Sequence, residues 1–153
     1  MIRLYQEKDT EMIIDVWYQA SLIAHPFLTE AFLQEEKTRL REIFLPNSQT
    51  WVYEEAGQVV GFISLVDSEV GGIFVRPSNQ RQGIGKALMD KARSLHNYLE
   101  LDVFEANKSG RAFYAKYGFA PIKKYREAET GEITIRLRYE AEELPSPEKR
   151  EQI

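Results

Sequence analysis

Cysteine is missing from all 153 residues, which excludes disulfides, thiolate metal sites and a thiol nucleophile. Histidine is nearly as scarce. His25 and His96 stand far apart and no carboxylates cluster at ligand spacing, so the sequence offers no metal centre. No apolar run approaches the roughly 20 residues needed to cross a bilayer, and no membrane partner is expected. Met1 to Tyr5 passes directly into strand-like alternation with nothing like a signal peptide, which makes the cytoplasm the expected compartment. A basic surplus is also lacking. Lys and Arg number 20 against 24 Asp and Glu, a net charge of −4, which argues against a nucleic-acid partner. The small acidic excess suits a cationic substrate, but ordinary solubility charge accounts for it equally well.

What remains is a globular composition, 43% hydrophobic and 29% charged, in a chain of one-domain length. The expected domain spans residues 1–140. The tail 141–153, with two prolines and alternating charge, is expected to be disordered.

Residues 2–5 alternate as a strand. Asp9 is expected to N-cap a helix whose apolar face is Met12, Ile13, Val16, Trp17 and Ala20, and which stops before His25-Pro26. A second helical pattern covers Phe27 to Phe44, in one piece or two. The period then changes. Thr50–Glu54 and Val59–Val66 read as a hairpin around Ala56-Gly57-Gln58, followed by a strand at Gly71–Val75 that ends before Pro77. Gly83 to Asn97 is helical, with Ile84, Leu88, Ala92 and Leu95 on one face, and Tyr98 to Phe104 is a strand. Ser109 is expected to cap a short helix ending at Gly118, and strands at Phe119–Tyr125 and Ile133–Tyr139 pair antiparallel. Strand 71–75, helix 83–97 and strand 98–104 form a right-handed βαβ crossover with parallel strands. No internal repeat is visible.

The chemistry is concentrated between the first of those strands and its helix. Gly83 and Gly85 let backbone amides approach an anion, and the unpaired N–H groups and dipole of the helix start favour negative charge there. Such an arrangement binds phosphate. Equally, two glycines can serve only a turn with close helix packing. Phosphate-loop and dinucleotide fingerprints both fail: Lys86 is followed by Ala87, and Leu88 stands where a third glycine is required.

The run Ile73-Phe74-Val75-Arg76-Pro77-Ser78-Asn79-Gln80-Arg81-Gln82-Gly83-Ile84-Gly85-Lys86 resembles the acyl-CoA-binding motif of the GNAT N-acetyltransferase superfamily. A second block, Leu101-x-Val103 followed by Asn107, Phe113-Tyr114 and Gly118-Phe119, resembles that family's strand–Asn–helix–Tyr–Gly-Phe signature. The resemblance covers about residues 2 to 139. Ala24-His25-Pro26-Phe27 and Trp51-Val52 are similar to a small bacterial subgroup, some of whose members are protein-lysine acetyltransferases. It implies an α/β fold of mixed α+β type: a central mixed sheet of about seven strands, with splayed parallel central strands and helices on both faces. It also implies acetyl-CoA as co-substrate, with an amine attacking directly in a ternary complex, and a monomer or homodimer.

By the same resemblance, backbone groups of Phe74 and Val75 would meet the thioester and pantetheine. The amides of Arg81, Gln82, Gly83, Ile84, Gly85 and Lys86 would meet the pyrophosphate. Asn107 would touch pantetheine, or else cap a turn. Tyr114 would protonate the leaving thiolate, being otherwise a packing aromatic. Glu69 and His25 are candidate bases, each with an ordinary structural alternative, and water is the third option. Tyr18, Phe27, Trp51 and Phe74 could line the acceptor pocket. The acceptor is an amine, on a small molecule or a protein. A non-catalytic acyl-CoA sensor and a toxin-like acetyltransferase of aminoacyl-tRNA are the competing readings; retained Asn107 and Tyr114 argue against the first and the missing basic face against the second.

Overall fold

The computed structural model describes residues 1–140; the tail 141–153 lies outside the described residues. Strand β1 (Ile2–Leu4) leads through a short 3-10 turn into helix α1 (Thr10–Ala24). Helix α2 (Glu30–Arg39) follows, and its last turns loosen into a π-type segment, Leu40–Phe44. The helical pattern expected from Phe27 to Phe44 is thus found in two pieces, and the first begins later, at Glu30. Thr29 supplies the reason, because its hydroxyl accepts the Phe32 N–H and starts the helix there.

Strands β2 (Gln49–Glu55) and β3 (Gln58–Val66) make the hairpin, closed by Ala56 and Gly57, both at positive φ. Next come β4 (Glu69–Val75), α3 (Ile84–Leu95), β5 (Tyr98–Phe104), α4 (Lys108–Tyr117), β6 (Ala120–Arg126) and β7 (Ile133–Glu140). The seven strands stand in the order β1-β2-β3-β4-β5-β7-β6. All neighbours are antiparallel except β4 and β5, and that parallel pair registers at one position, Glu69 opposite Glu100. The sheet is split along its middle, as a splayed central pair requires.

Alternation along the strands assigns a core to each face. Leu99, Leu101 and Val103 of β5 pack with Ile84, Leu88, Met89 and Ala92 of α3. Ile13, Val16 and Trp17 of α1 and Leu33 of α2 pack with Val52, Val59 and Phe62 on the other face. Helices α1 and α3 bury most of the stripe their spacing marks out, whereas α2 buries only Leu33 and α4 has no fully buried residue.

Two cap assignments differ from expectation. Asp9 does not cap α1 through its side chain. It is fully buried and receives both Arg3 guanidinium nitrogens, at 2.8 and 2.9 Å, and the Gln6 N–H at 2.8 Å, locking the turn before α1 to β1. Ser109 does not cap α4. Asn107 does, accepting the Gly110 N–H at 3.0 Å.

Arg3 holds the Asp9 carboxyl below the usual carboxylate range, chiefly through its hydrogen bonds. A depressed folded pKa contributes stability above the unfolded value, lost as pH falls through the folded one. Replacing Asp9 with Asn should cost about 3 kcal/mol at pH 7, because Arg3 is left half-paired with Glu54. Urea melts of the two proteins should converge as pH falls below about 4.

Candidate active site

The split begins at a bulge. Leu65 pairs with Val70 but Ser64 pairs with Gly72, so Gly71 is an extra residue in β4. The bulge places Val70, Ile73 and Val75 on the α3 side, where all three join the core, while Phe74 packs on the α1 side. It also sets which backbone groups face the gap. The Arg76 N–H donates to the Val60 carbonyl at 2.7 Å. By alternation Phe74 then faces Phe62 of β3, and Ile73 and Val75 turn their amides toward β5.

From the other side, the Glu100 N–H reaches the Ser68 carbonyl at 3.0 Å and the Glu105 N–H reaches Ile133 at 2.8 Å. Asp102 and Phe104 therefore turn their backbone toward β4. The expectation for Phe74 needs correcting: its amide is spent within the sheet, and Ile73 joins Val75 at the gap. One residue of register separates the two assignments, and only the bulge and the pairing set it.

Above the gap lies the glycine loop. Gln80 folds back, its side-chain amide donating to the Val75 carbonyl at 3.0 Å, which ties loop to strand. Arg81 and Gly83 adopt positive φ, 65° and 83°, and the turn delivers Gly83 as the residue preceding α3. Among the described residues, the N–H groups of Arg81, Gln82, Gly83, Ile84, Gly85 and Lys86 have no acceptor within the chain. A Cβ on Gly83 would meet nothing within 4 Å, so the loop surface is open there. Gly85 has a packing role besides, because a Cβ would press on the Phe113 ring at 3.3 Å. The Ile84 side chain is core, and only its amide is offered to the loop. Lys86 is exposed and pairs with Asp90 at 2.9 Å.

Tyr114 sits on α4, edge-on to Phe113 and Phe119. Burial holds its phenol above the ordinary value of ten, so the group stays protonated at neutral pH. Its hydroxyl has no partner among the described residues, yet only Ser21 Oγ and Trp51 Nε1 are both unpartnered and closed off from solvent.

His25 and Asn107, 82 residues apart, come together: Asn107 Nδ2 lies 3.3 Å from His25 Nε2. The His25 ring stands edge-on to Phe104 of β5 at 5.2 Å and to Phe74 of β4 at 6.5 Å. Phe27 completes the group at 5.7 Å from His25 and 5.3 Å from Phe104. An aromatic wall thus covers the α1 side of the gap. Burial pushes the His25 imidazolium down to about 4.

Glu69 is placed otherwise. It lies at the closed end of the split, where Arg136 of β7 grips both carboxylate oxygens. Five residues of strand separate it from Phe74, roughly 17 Å. Trp51 is on the α3 side under Lys91, 4.2 Å from the ring, and does not line the α1 face. Tyr18 donates to Glu30 at 2.8 Å on the outer surface of α1.

Sequence spacing did not reveal a cleft of about 320 Å³ floored by Gly71, Gly72, Phe74 and Phe44 and rimmed by Glu36 and Arg39. Arg39 reaches Glu36 at 2.8 Å and Glu129 of the β6–β7 loop at 2.7 Å, spanning the two sides. Burial raises the Glu36 carboxyl despite Arg39. No local motif marks this cleft, because helix, bulge and loop meet only in the fold. Among the described residues there is no group of three or more His, Asp or Glu fit to hold a metal, and no helix long and apolar enough to cross a membrane.

A split β4/β5 pair under a glycine loop, with an Asn–Tyr helix behind it, is an arrangement other proteins share. The acetyltransferase (GNAT) domain family matches residues 46–121. The peptidyl-lysine N-acetyltransferase YiaC of Escherichia coli is 34% identical over 120 residues, 78% of this chain and 82% of that protein. The chain belongs to the GNAT acetyltransferase family. The solution structure of apo-form YjaB from Escherichia coli superposes with a TM-score of 0.82 at 26% identity, over 93% of this chain and 98% of that one. PaiA N-acetyltransferase from Thermoplasma acidophilum, solved in complex with coenzyme A, shares the GNAT fold with a TM-score of 0.73 at 19% identity, over 91% and 98%.

Within this GNAT fold the low His25 pKa has a consequence for stability. The unfolded imidazole binds a proton near pH 6.5 and the folded one near 4, so stability falls as pH drops through that window. Thermal melts at pH 7 and pH 5 should show a larger loss for the wild type than for His25→Phe, which keeps an aromatic ring and cannot titrate.

Proposed function

We propose that this acetyltransferase moves the acetyl group of acetyl-CoA onto the ε-amino group of a protein lysine in the cytoplasm, by direct attack in a ternary complex. The observation that carries the donor half is the row of unpaired amides: Ile73 and Val75 in the gap, then residues 81–86 at the start of α3. An amide-bearing pantetheine arm satisfies the first set as an added strand, and a pyrophosphate satisfies the second. The lysine acceptor is supported by the names of the relatives YiaC and YjaB and by the cleft beside Phe74. Its apolar floor suits a butyl chain, and Glu36 at its rim, with Arg39 partly neutralised by Glu129, suits an ammonium.

The chain's own residues then have distinct tasks. The thioester supplies an activated acetyl group, and of the two gap amides one would pair with the pantetheine arm while the other would face the oxygen on which negative charge develops. Tyr114 is the proton donor to the departing thiolate. Burial raises the phenol, but it raises a desolvated thiolate as well, so the hydrogen bond strengthens as charge builds. Neither candidate base is free: Arg136 holds Glu69, and the His25 lone pair is turned to Asn107. The amine, with a pKa near 10.4, therefore loses its proton through water.

Turnover of acetyl-CoA with lysine-containing peptides tests the reading. Tyr114→Phe should lower kcat about a hundredfold with KM for acetyl-CoA little changed. Gly83→Glu should abolish coenzyme A binding in calorimetry while leaving the circular dichroism spectrum intact. The wild-type kcat/KM should climb with pH to about 9 without an inflection near 6. Coenzyme A binding with no turnover on any amine would overturn the proposal.

A further inference from the structure

The contact between His25 and Asn107 joins two elements that the acetyl-transfer reaction uses from opposite sides. His25 is the residue at which α1 ends, with its N–H bonded to the Ser21 carbonyl at 2.8 Å. Asn107 is the N-cap of α4, the helix that carries Tyr114. Only 9% of Asn107 is exposed. Its orientation is set by a donor that cannot flip: the Gly110 N–H points at Asn107 Oδ1 from 3.0 Å, and the Ser109 hydroxyl is 3.3 Å from the same oxygen. The nitrogen of the Asn107 amide must then be the atom facing His25 Nε2. An amide nitrogen only donates, so His25 Nε2 accepts, and the ring proton sits on Nδ1.

The neighbourhood keeps this geometry in place. A Cβ at position 110 would overlap the Asn107 side-chain amide, so glycine there leaves room for the folded-back cap. Phe104, Phe27 and Phe74 surround the imidazole ring, which restricts its rotation. The Phe104 carbonyl also accepts the Asn107 N–H at 3.0 Å, so the backbone at the open end of the split is tied to the same cap. Two hydrogen bonds of Asn107 therefore connect the end of α1, the open end of β5 and the start of α4.

We propose that His25 is a positioning residue for acetyl transfer: its Nε2 holds the Asn107 side-chain amide and thereby fixes the α4 cap, and Tyr114 on that helix, against the gap. His25 takes no proton from the amine. This assignment rests on the acetyltransferase reading for its kinetic consequences, but the tautomer it requires does not depend on that reading.

The first test is therefore spectroscopic and needs no substrate. Nitrogen-15 spectra of the imidazole rings in the full chain contain only His25 and His96, so assignment is direct. The proposal requires an Nδ1–H tautomer for His25, changing toward the solution-favoured Nε2–H form in Asn107→Ala. An Nε2–H tautomer in the wild type would overturn it. The second test is kinetic, with acetyl-CoA and a lysine-containing peptide. His25→Ala should lower kcat on the order of tenfold to a hundredfold through misplacement, without changing the shape of the pH profile. His25→Gln, whose amide oxygen can still accept from Asn107, should recover most of that loss. His25→Ala combined with Asn107→Ala should be no worse than the more impaired single variant. Loss of the acidic limb of the profile, with Gln as impaired as Ala, would make His25 a base. Strictly multiplicative losses would separate it from Asn107. If Ala unfolds the protein, the Gln variant and the tautomer decide. If no peptide is turned over while the tautomer is as required, the lysine reading fails and the coupling stands.

Discussion

Strands β4 and β5 run parallel, meet at Glu69 and Glu100, and then part; the Val75 and Phe104 carbonyls are taken by Gln80 and Asn107, and the N–H groups of Ile73 and Val75 face the opening without a strand partner. A sheet does not leave such groups unpaired without cost, since each buried polar group lacking a partner costs about 1–3 kcal/mol. Several features hold the strands apart here. The Gly71 bulge turns β4, Arg136 fastens the closed end to Glu69 and Glu100, and the α3 core bridges both strands from one side. The opening is thus a property of the folded chain.

The electrostatics around that opening exclude several roles. His25 is neutral with its lone pair engaged, Glu69 is held by Arg136, and Tyr114 keeps its proton. The groups nearest the opening are thus uncharged or already paired. The carboxylates that could meet a cation, Glu36 and Glu129, stand at the rim, where Arg39 already spans them. The exposed Arg39–Glu129 pair is worth at most about 1 kcal/mol, so an incoming ammonium can compete for it.

Much of this was legible from residue order. The period-3.6 stripe of α1, the Ala56-Gly57 turn, the βαβ unit and the glycine loop each depend on neighbours within a few residues, and each was found where expected. Errors arose where a side chain had a distant choice. Asp9 looks like a helix cap until Arg3 claims it. Ser109 looks like the α4 cap, but Asn107 places its oxygen on the Gly110 N–H. Phe74 looks like a gap residue beside Val75 until the bulge and the pairing put Ile73 there in its place. Trp51 looks like pocket lining but belongs to the other face of the sheet.

The glycine loop could be read from the primary structure because consecutive amides and glycines that permit positive φ are all local features. The same holds for the strand–helix–strand unit that carries it. The meeting of His25 with Asn107, the capture of Glu69 by Arg136 and the cleft beneath Arg39 were settled by packing. Each joins groups tens of residues apart, and no spacing rule encodes which face of which element they share until the core has closed.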